Sequence, residues 1–283
     1  MLNNFQKTVW IANILKSLER VHVFASVANR EYEGELKSLG DRVRMLTLGD
    51  VTAKSYTRNA DLASPDDLND AATELVADQA YYFNVKVNDV DAVQQKPSLL
   101  KAMSEKAAYA FRAQVDSFFA GLYDQAGFQS YSTGTTPWNV TSLNVEDVLI
   151  AAGEQLSDAD VQLENRFLIV PNWFQSKLIL AGLATKTSND ELWANGFIKR
   201  VLNWDLYLSN NVSHTTPSTG VHGKIIGGIK NESLTFASVI SQIEAYRPEK
   251  RFEDAIKGVY VFGGKVARPD KTITIHATKT AEA

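Results

Sequence analysis

Few residues in this chain have the type and spacing to do chemistry. Its four histidines, His22, His214, His222 and His276, show no H-x-x-x-H spacing, and there is no cysteine. Disulfides, thiolate nucleophiles, Cys-ligated zinc and iron–sulfur clusters are therefore excluded. His214 and His222 share a Gly/Thr-rich stretch and could meet in space, but no metal site is expected there. The segment "GVHGKIIGGIK" invites comparison with a phosphate loop, yet it lacks the G-x-x-x-x-G-K-[ST] spacing, and Ile follows Lys224. A flexible surface loop entering a strand is expected instead. The carboxylates of "SPDDLND", Asp66 and Asp67 among them, do not have calcium-loop spacing and read as a solvated hairpin tip. Glu253 and Asp254 sit beside Lys250, Arg251 and Lys257. Such neighbours keep a carboxylate ionised, the reverse of what a general acid needs. No G-x-S-x-G turn presents a serine nucleophile. Trp173, Phe174 and Trp204 read as core. The expectation is a protein with no catalytic residue, no cofactor and no metal.

Composition narrows the class. The chain has 283 residues, 45% hydrophobic and 22% charged, with a net charge of −4, which is ordinary for a globular protein. It is too acidic to hold nucleic acid by bulk electrostatics. The N-terminal stretch is amphipathic and interrupted by Lys7, Lys16, Glu19 and Arg20, without the apolar block of a signal peptide. No run approaches the roughly 20 apolar residues of a membrane span. Synthesis in the cytoplasm is expected. Asn139, Asn211 and Asn231 open glycosylation-type triplets that, without a secretion signal, read as chance.

The elements that must position these side chains follow from periodicity. Trp10, Ile11, Ile14, Leu15 and Leu18 have helical spacing within residues 8–24. "ANREYEGELKSLGDRV" then reads as an extended arm with little core of its own. A long hairpin is expected from "DRVRMLTLGDVTAKSYT" and "YYFNVKVND", with the acidic insert "NADLASPDDLNDAATEL" between them. The longest helix follows Pro97, with Leu100, Met103, Ala107, Phe111, Val115, Phe118 and Leu122 as its apolar stripe. Ser98 is its expected N-cap and Gly127 its stop, and Arg112 and Asp116 form an i,i+4 pair on the polar side. A shorter helix runs from Asn144, "RFLIVP" is a buried strand, and "NWFQSKLILAG" is a helix ending at Gly182. A strand covers Trp204 to Leu208, and "LTFASVISQIEAYR" and the charged "YRPEKRFEDAIKG" read as helix-like. Two strands, Val259 to Phe262 and Thr272 to Ala277, close the chain. The class is α+β, with strands paired mostly locally.

That order of elements resembles the major capsid proteins of tailed phages, the Hong Kong 97-type fold, in its branch of short phage coat proteins. The stretches that carry the resemblance are Phe24 to Thr57, Arg166 to Ile179, Asn195 to Val212 and Phe236 to Asp270. It implies an N-terminal arm (1–40), an extended β-hairpin loop (41–91), a peripheral domain with a spine helix (92–135 and 250–283) and an axial domain (136–249). In such proteins the segment matching "EAYRPEKRFEDAIKG" leaves the axial lobe for the peripheral one. Its charges would make contacts within and between subunits, where they set register more than affinity. The interface candidates are Arg42, Arg44, Lys54, Arg58, Asp66, Asp67, Arg247, Glu249, Lys250, Arg251, Glu253 and Asp254.

The resemblance also implies partners. The chain would self-assemble into hexamers and pentamers of an icosahedral head enclosing double-stranded DNA, bound without sequence specificity. It would work with a portal protein and, because Met1 directly precedes the arm, a separate scaffolding protein, while whether a decoration (cement) protein joins them is left open. Assembly would occur in the host cytoplasm and the product would be the virion capsid. Some members crosslink through a Lys and an Asn. Nothing marks Lys54 or Lys86 as reactive, so no crosslink is expected. Two alternatives remain open: an encapsulin-type compartment shell, and a soluble α+β enzyme or binding domain with an unrecognised site.

Overall fold

The computed structural model describes residues 23–48, 55, 58, 70–88, 97–183, 197–215, 221–246 and 253–280. The helix expected over residues 8–24 lies outside them except at its end, where a single helical turn, α1 (Phe24–Val27), is present. Among the described residues no helix is long and apolar enough to cross a membrane.

The hairpin exists but is built differently from the expectation. Strand β1 (Arg42–Leu48) pairs antiparallel with β2 (Asp70–Val76), in register from Arg42 opposite Val76 to Leu48 opposite Asp70. The returning strand therefore comes from the tail of the acidic insert. The alternating "YYFNVKVN" segment lies instead in β3 (Gln79–Asn88), which joins another sheet. Alternation puts Val43, Met45 and Leu75 on the buried face and Arg42, Arg44 and Glu74 on the open one.

The helix after Pro97 is α2 (Pro97–Gly121), about 38 Å long at 1.5 Å per residue. It begins one residue before the expected cap. It stops at Gly121, where a short 3₁₀ turn (Leu122–Gln125) takes over, so Gly127 is not its terminator. Gly127 has another constraint, because a Cβ there would drive into the backbone of Pro269. Arg112 and Asp116 are both buried, so they are not on a solvent face.

Two segments expected to be helix-like are strand. β11 (Leu234–Tyr246) and β12 (Glu253–Val266) pair antiparallel, and β3 pairs with the far side of β12, giving the order β11-β12-β3. One face of this sheet receives α2. Phe119 packs edge-on to Phe236 at 5.7 Å, Phe118 edge-on to Phe262 at 5.6 Å, and Phe111 lies 5.3 Å from Tyr260. Each fully buried aromatic of this kind contributes about 1.5–3 kcal/mol. The opposite face, through Ala237 and Val261, carries the hairpin base and Leu36 of the arm. The arm from residue 23 onward thus has a core after all, with Phe24, Ala25 and Val27 in the main cluster and Leu36 in this smaller one.

The second sheet is larger and its pairings are mostly non-local, against expectation. Its path is β4 (Phe128–Ser130), β13 (Thr272–Lys279), β10 (His222–Ile229), β6 (Arg166–Val170), β8 (Trp204–Leu208) and β7 (Phe197–Val201). β5 (Trp138–Val140) also joins β13, and β9 (His214–Thr215) joins β10. β6 and β8 are parallel, as are β13 and β4. β13 therefore does not pair with β12. Instead the chain crosses from one sheet to the other through the turn at Pro269–Lys271. The phosphate-loop lookalike is no surface loop, since from His222 onward it is central strand β10. Helices α3 (Val145–Asp158) and α4 (Asn172–Leu180) complete this half. The strand readings at Arg166–Val170 and Trp204–Leu208 and the two helix readings hold.

Candidate assembly surfaces

The hairpin base is the first group of candidates. Arg42 and Arg44 project from β1 toward Glu74, which lies directly opposite Arg44 and diagonally from Arg42. Nη1 of Arg42 donates to the Glu74 carboxylate at 3.2 Å, and Nε of Arg44 lies 3.6 Å from it. Both arginines are largely exposed, so these pairs contribute little on their own. Two guanidinium groups sharing one carboxylate leave a net positive edge that can still recruit an anion. Arg58 is an exposed turn residue. Glu253 and Asp254 stand at the start of β12, opposite Asn88 and Val87. Lys54, Asp66, Asp67, Arg247, Glu249, Lys250 and Arg251 lie outside the described residues. The structure therefore brings Arg42 and Arg44 to one carboxylate and places Glu253 and Asp254 as consecutive residues of a strand in another sheet.

The arm is rooted by residues that spacing alone did not single out for this role. The amide of Phe24 donates to Oδ1 of Asp116 at 3.2 Å, and the Phe24 ring stacks on Phe119 at 6.2 Å. Burial pushes the Asp116 carboxyl up to about 6, against the opposing pull of the Phe24 and Val23 amides, Asn211 and Arg112. Asn29 then bridges Thr235 in parallel with β11. Farther along, the Asp41 carboxylate accepts from the amides of Lys37 and Ser38, each at 2.8 Å. Those bonds hold it below the usual carboxylate range.

Where the 3₁₀ turn after α2 meets the large sheet lies a cluster of basic and aromatic groups. Nε2 of His276 is 2.6 Å from the Gln129 side-chain oxygen, and Tyr131 stacks on the imidazole at 4.2 Å. The His222 ring is 5.4 Å away, and Nζ of Lys224 sits 3.6 Å over the Tyr123 ring. Burial, then the neighbouring His222 and Lys224, pull His276 down to about 4, and burial also lowers His222. His214 and His222 do come to adjacent strands, but the imidazole that His222 faces is that of His276. Among the described residues no three His, Cys, Asp or Glu side chains gather as metal ligands.

Two further features shape the half that holds the large sheet. Arg166 is buried and closes the C-terminal end of α3. Its guanidinium donates to the carbonyls of Gly153 (3.1 Å), Val161 (2.7 Å) and Gln162 (2.9 Å) and to the Ser157 hydroxyl (3.2 Å). Trp204, whose indole Nε1 donates to the Leu149 carbonyl at 3.2 Å, packs beneath it. Phe174 and Trp204 are core as expected, whereas Trp173 is half-buried and lines an open cleft of about 400 Å³.

Comparison with known proteins gives a consistent picture. A family model described as phage capsid protein matches residues 73–275. A solved structure from Mycobacterium phage Che8 shares 24% identity over 90% of each chain, with a TM-score of 0.69. The capsid of cyanophage P-SCSP1u shares 16%, covers 92% of this chain and 89% of its own, and has a TM-score of 0.65. A virus-like particle from Pyrococcus furiosus shares 12%, with coverage of 93% and 96% and a TM-score of 0.55. No curated protein matches the sequence.

Proposed function

Because the chain belongs to the phage capsid protein family, with the Hong Kong 97-type fold, we propose a specific division of labour for its parts. It is a major capsid protein, a structural rather than catalytic component of the virion that assembles with copies of itself into an icosahedral shell. In our reading the copies form hexamers and pentamers, are assembled in the host cytoplasm with a portal and a separate scaffolding protein, and enclose double-stranded DNA. The half with the eight-stranded sheet is the axial lobe. Its bounds depart from those expected: β4 and β13 lie in that sheet although 92–135 and 250–283 were expected to be peripheral, and β11 lies in the other sheet although 136–249 was expected to be axial. The three-stranded sheet with α2 is the peripheral lobe and spine, and the arm and hairpin reach to neighbours.

The observation that carries this reading is the family match over residues 73–275. Further support comes from the hairpin base. It is anchored by Val43, Met45 and Leu75 on one side and turns Arg42 and Arg44 outward on the other. That is the layout of an element fixed at its root and offered to a partner. Arg58, Lys54, Asp66, Asp67 and the charged run from Arg247 to Asp254 are the remaining proposed contacts.

The test is electron microscopy of the chain co-expressed with its neighbouring genes, preceded by sedimentation. Closed shells of capsomers are the expected result, and a small monodisperse species even with scaffold supplied would overturn it. A second reading, a compartment shell around a cargo enzyme, draws on the likeness to the Pyrococcus furiosus particle. Portal and terminase genes beside this one would exclude it, and a cargo-enzyme gene in their place would favour it.

A further inference from the structure

The outer face of α3 has an unusual layout. Its exposed arc holds Glu146, Asp147, Glu154 and Asp158 around Ile150, which is 42% exposed, and Leu143 just before the helix is 91% exposed. Residues 113–165 contain no lysine or arginine. Glu154 and Asp158 repel one another at i,i+4 spacing and lie toward the end of the helix where anions are disfavoured. The Arg166 guanidinium, buried beneath that end, is already spent on carbonyls. An apolar centre ringed by carboxylates has the anatomy of an interface core with a polar rim, here with no ion pair to those carboxylates among the described residues.

The same chain carries the complementary surface. The cleft of about 400 Å³ is lined by Pro171, Trp173, Val212 and Val221, and among the described residues its charged or titratable lining residues are Lys279 and His214, with no carboxylate. Gly223 keeps it open, because a Cβ there would press on the Trp173 ring at 3.3 Å. An apolar lining with a cationic rim thus matches an apolar knob with an anionic rim.

We propose that the α3 face of one copy docks in this cleft of the next, with Ile150 against the apolar lining and Glu154 near Lys279. The two surfaces differ, so the contact is heterologous and propagates around a ring. The inference rests on the shell reading above and adds to it a specific subunit contact.

The absence of native cysteine makes a clean test possible. Chains carrying only Glu154→Cys and chains carrying only Lys279→Cys are co-assembled with scaffold and treated with a short bis-maleimide crosslinker, which spans the separation of a Glu–Lys contact that a disulfide cannot. A crosslinked dimer between the two kinds of chain is expected, and none when every chain carries Glu154→Cys. Shells that form normally without that dimer overturn the contact while leaving the shell reading intact. Failure of the unsubstituted chain to assemble at all overturns the shell reading itself. Charge exchange gives an independent readout at two exposed positions. Glu154→Lys or Lys279→Glu alone is expected to lower shell yield about tenfold, and the two together to restore it. Single variants that assemble at full yield, or a double variant that recovers nothing although both chains fold, would refute the pairing.

Discussion

A carboxylate held away from water turns pH into a measure of how well the arm is rooted. Asp116 has a folded-state value near 6 against an ordinary 3.8, so the folded chain binds its proton more tightly than the unfolded one. Its contribution to stability therefore grows as pH falls through about 6 toward 3.8, by at most about 3 kcal/mol. Asp116→Asn should abolish that gain in urea titrations of the unassembled chain at pH 7, 6 and 5. His276 works in the opposite sense. Its value is depressed to about 4 from 6.5, so its own contribution is lost as pH falls from 6.5 toward 4, offsetting the Asp116 gain, and each is read as the difference between variant and unsubstituted chain. His276→Gln should flatten that acid limb, and an unchanged limb would mean that the imidazole is not the group being charged. Arg166 poses a geometric demand instead of an ionic one. Lysine cannot reach three carbonyls and a hydroxyl from one planar fork. Arg166→Lys is expected to cost about 3 kcal/mol, read as a lowered midpoint with unchanged slope. None of these three roles was legible beforehand. Asp116 sits four residues after Arg112 and reads as half of a surface pair. Only the packing of α1 against α2 takes it out of water.

At the scale of elements, legibility depended on how many faces each segment buries. α2, α3 and α4 bury one face or stripe and were readable from spacing. β11 buries Phe236 against α2 and Ala237 against the hairpin base. With apolar residues on both faces the two-residue period is lost, and Phe236, Val239, Ile240 and Ile243 imitate a helical stripe. β3 shows the reverse case. Its alternation is clear, but alternation reports which side faces the core and not which strand lies alongside, so its partner was misjudged. β2 is acidic and alanine-rich and has little strand character of its own. Its identity comes from Leu75 in the small core and Glu74 between two arginines. The fit between hairpin base and sheet can be tested at Gly263, where a Cβ would collide with the Val76 carbonyl. Gly263→Ala should raise hydrogen exchange across 42–45 and 73–76 and leave 272–279 protected. Equal protection in both segments would show that the base can shift without loss.

For the whole molecule, the expectation that no covalent bond joins the copies has a simple check. Shells boiled in denaturant should give a single band at about 31 kDa, and a ladder of multiples would overturn it. Candidates for the interface can be named from sequence, since charge runs and reaching elements are visible there. The partner of each charge cannot, because a copy's neighbours are absent from its own periodicity. Forces exchanged among those copies have a defined route through this chain. Where the hairpin meets the body, the Ala77 amide donates to the Asp41 carbonyl at 3.0 Å, and the Gly40 amide donates to the Ala77 carbonyl at 2.9 Å. Nζ of Lys265 on β12 reaches the Glu74 carbonyl at 3.3 Å, and β3 begins two residues beyond Ala77. Both roots are thus clamped to each other and to the sheet, with the buried Ala77 as fulcrum. A pull on the distant end of the hairpin cannot simply peel one strand away. It arrives as torque on β3 and β12, and through Phe111, Phe118 and Phe119 it loads the spine helix.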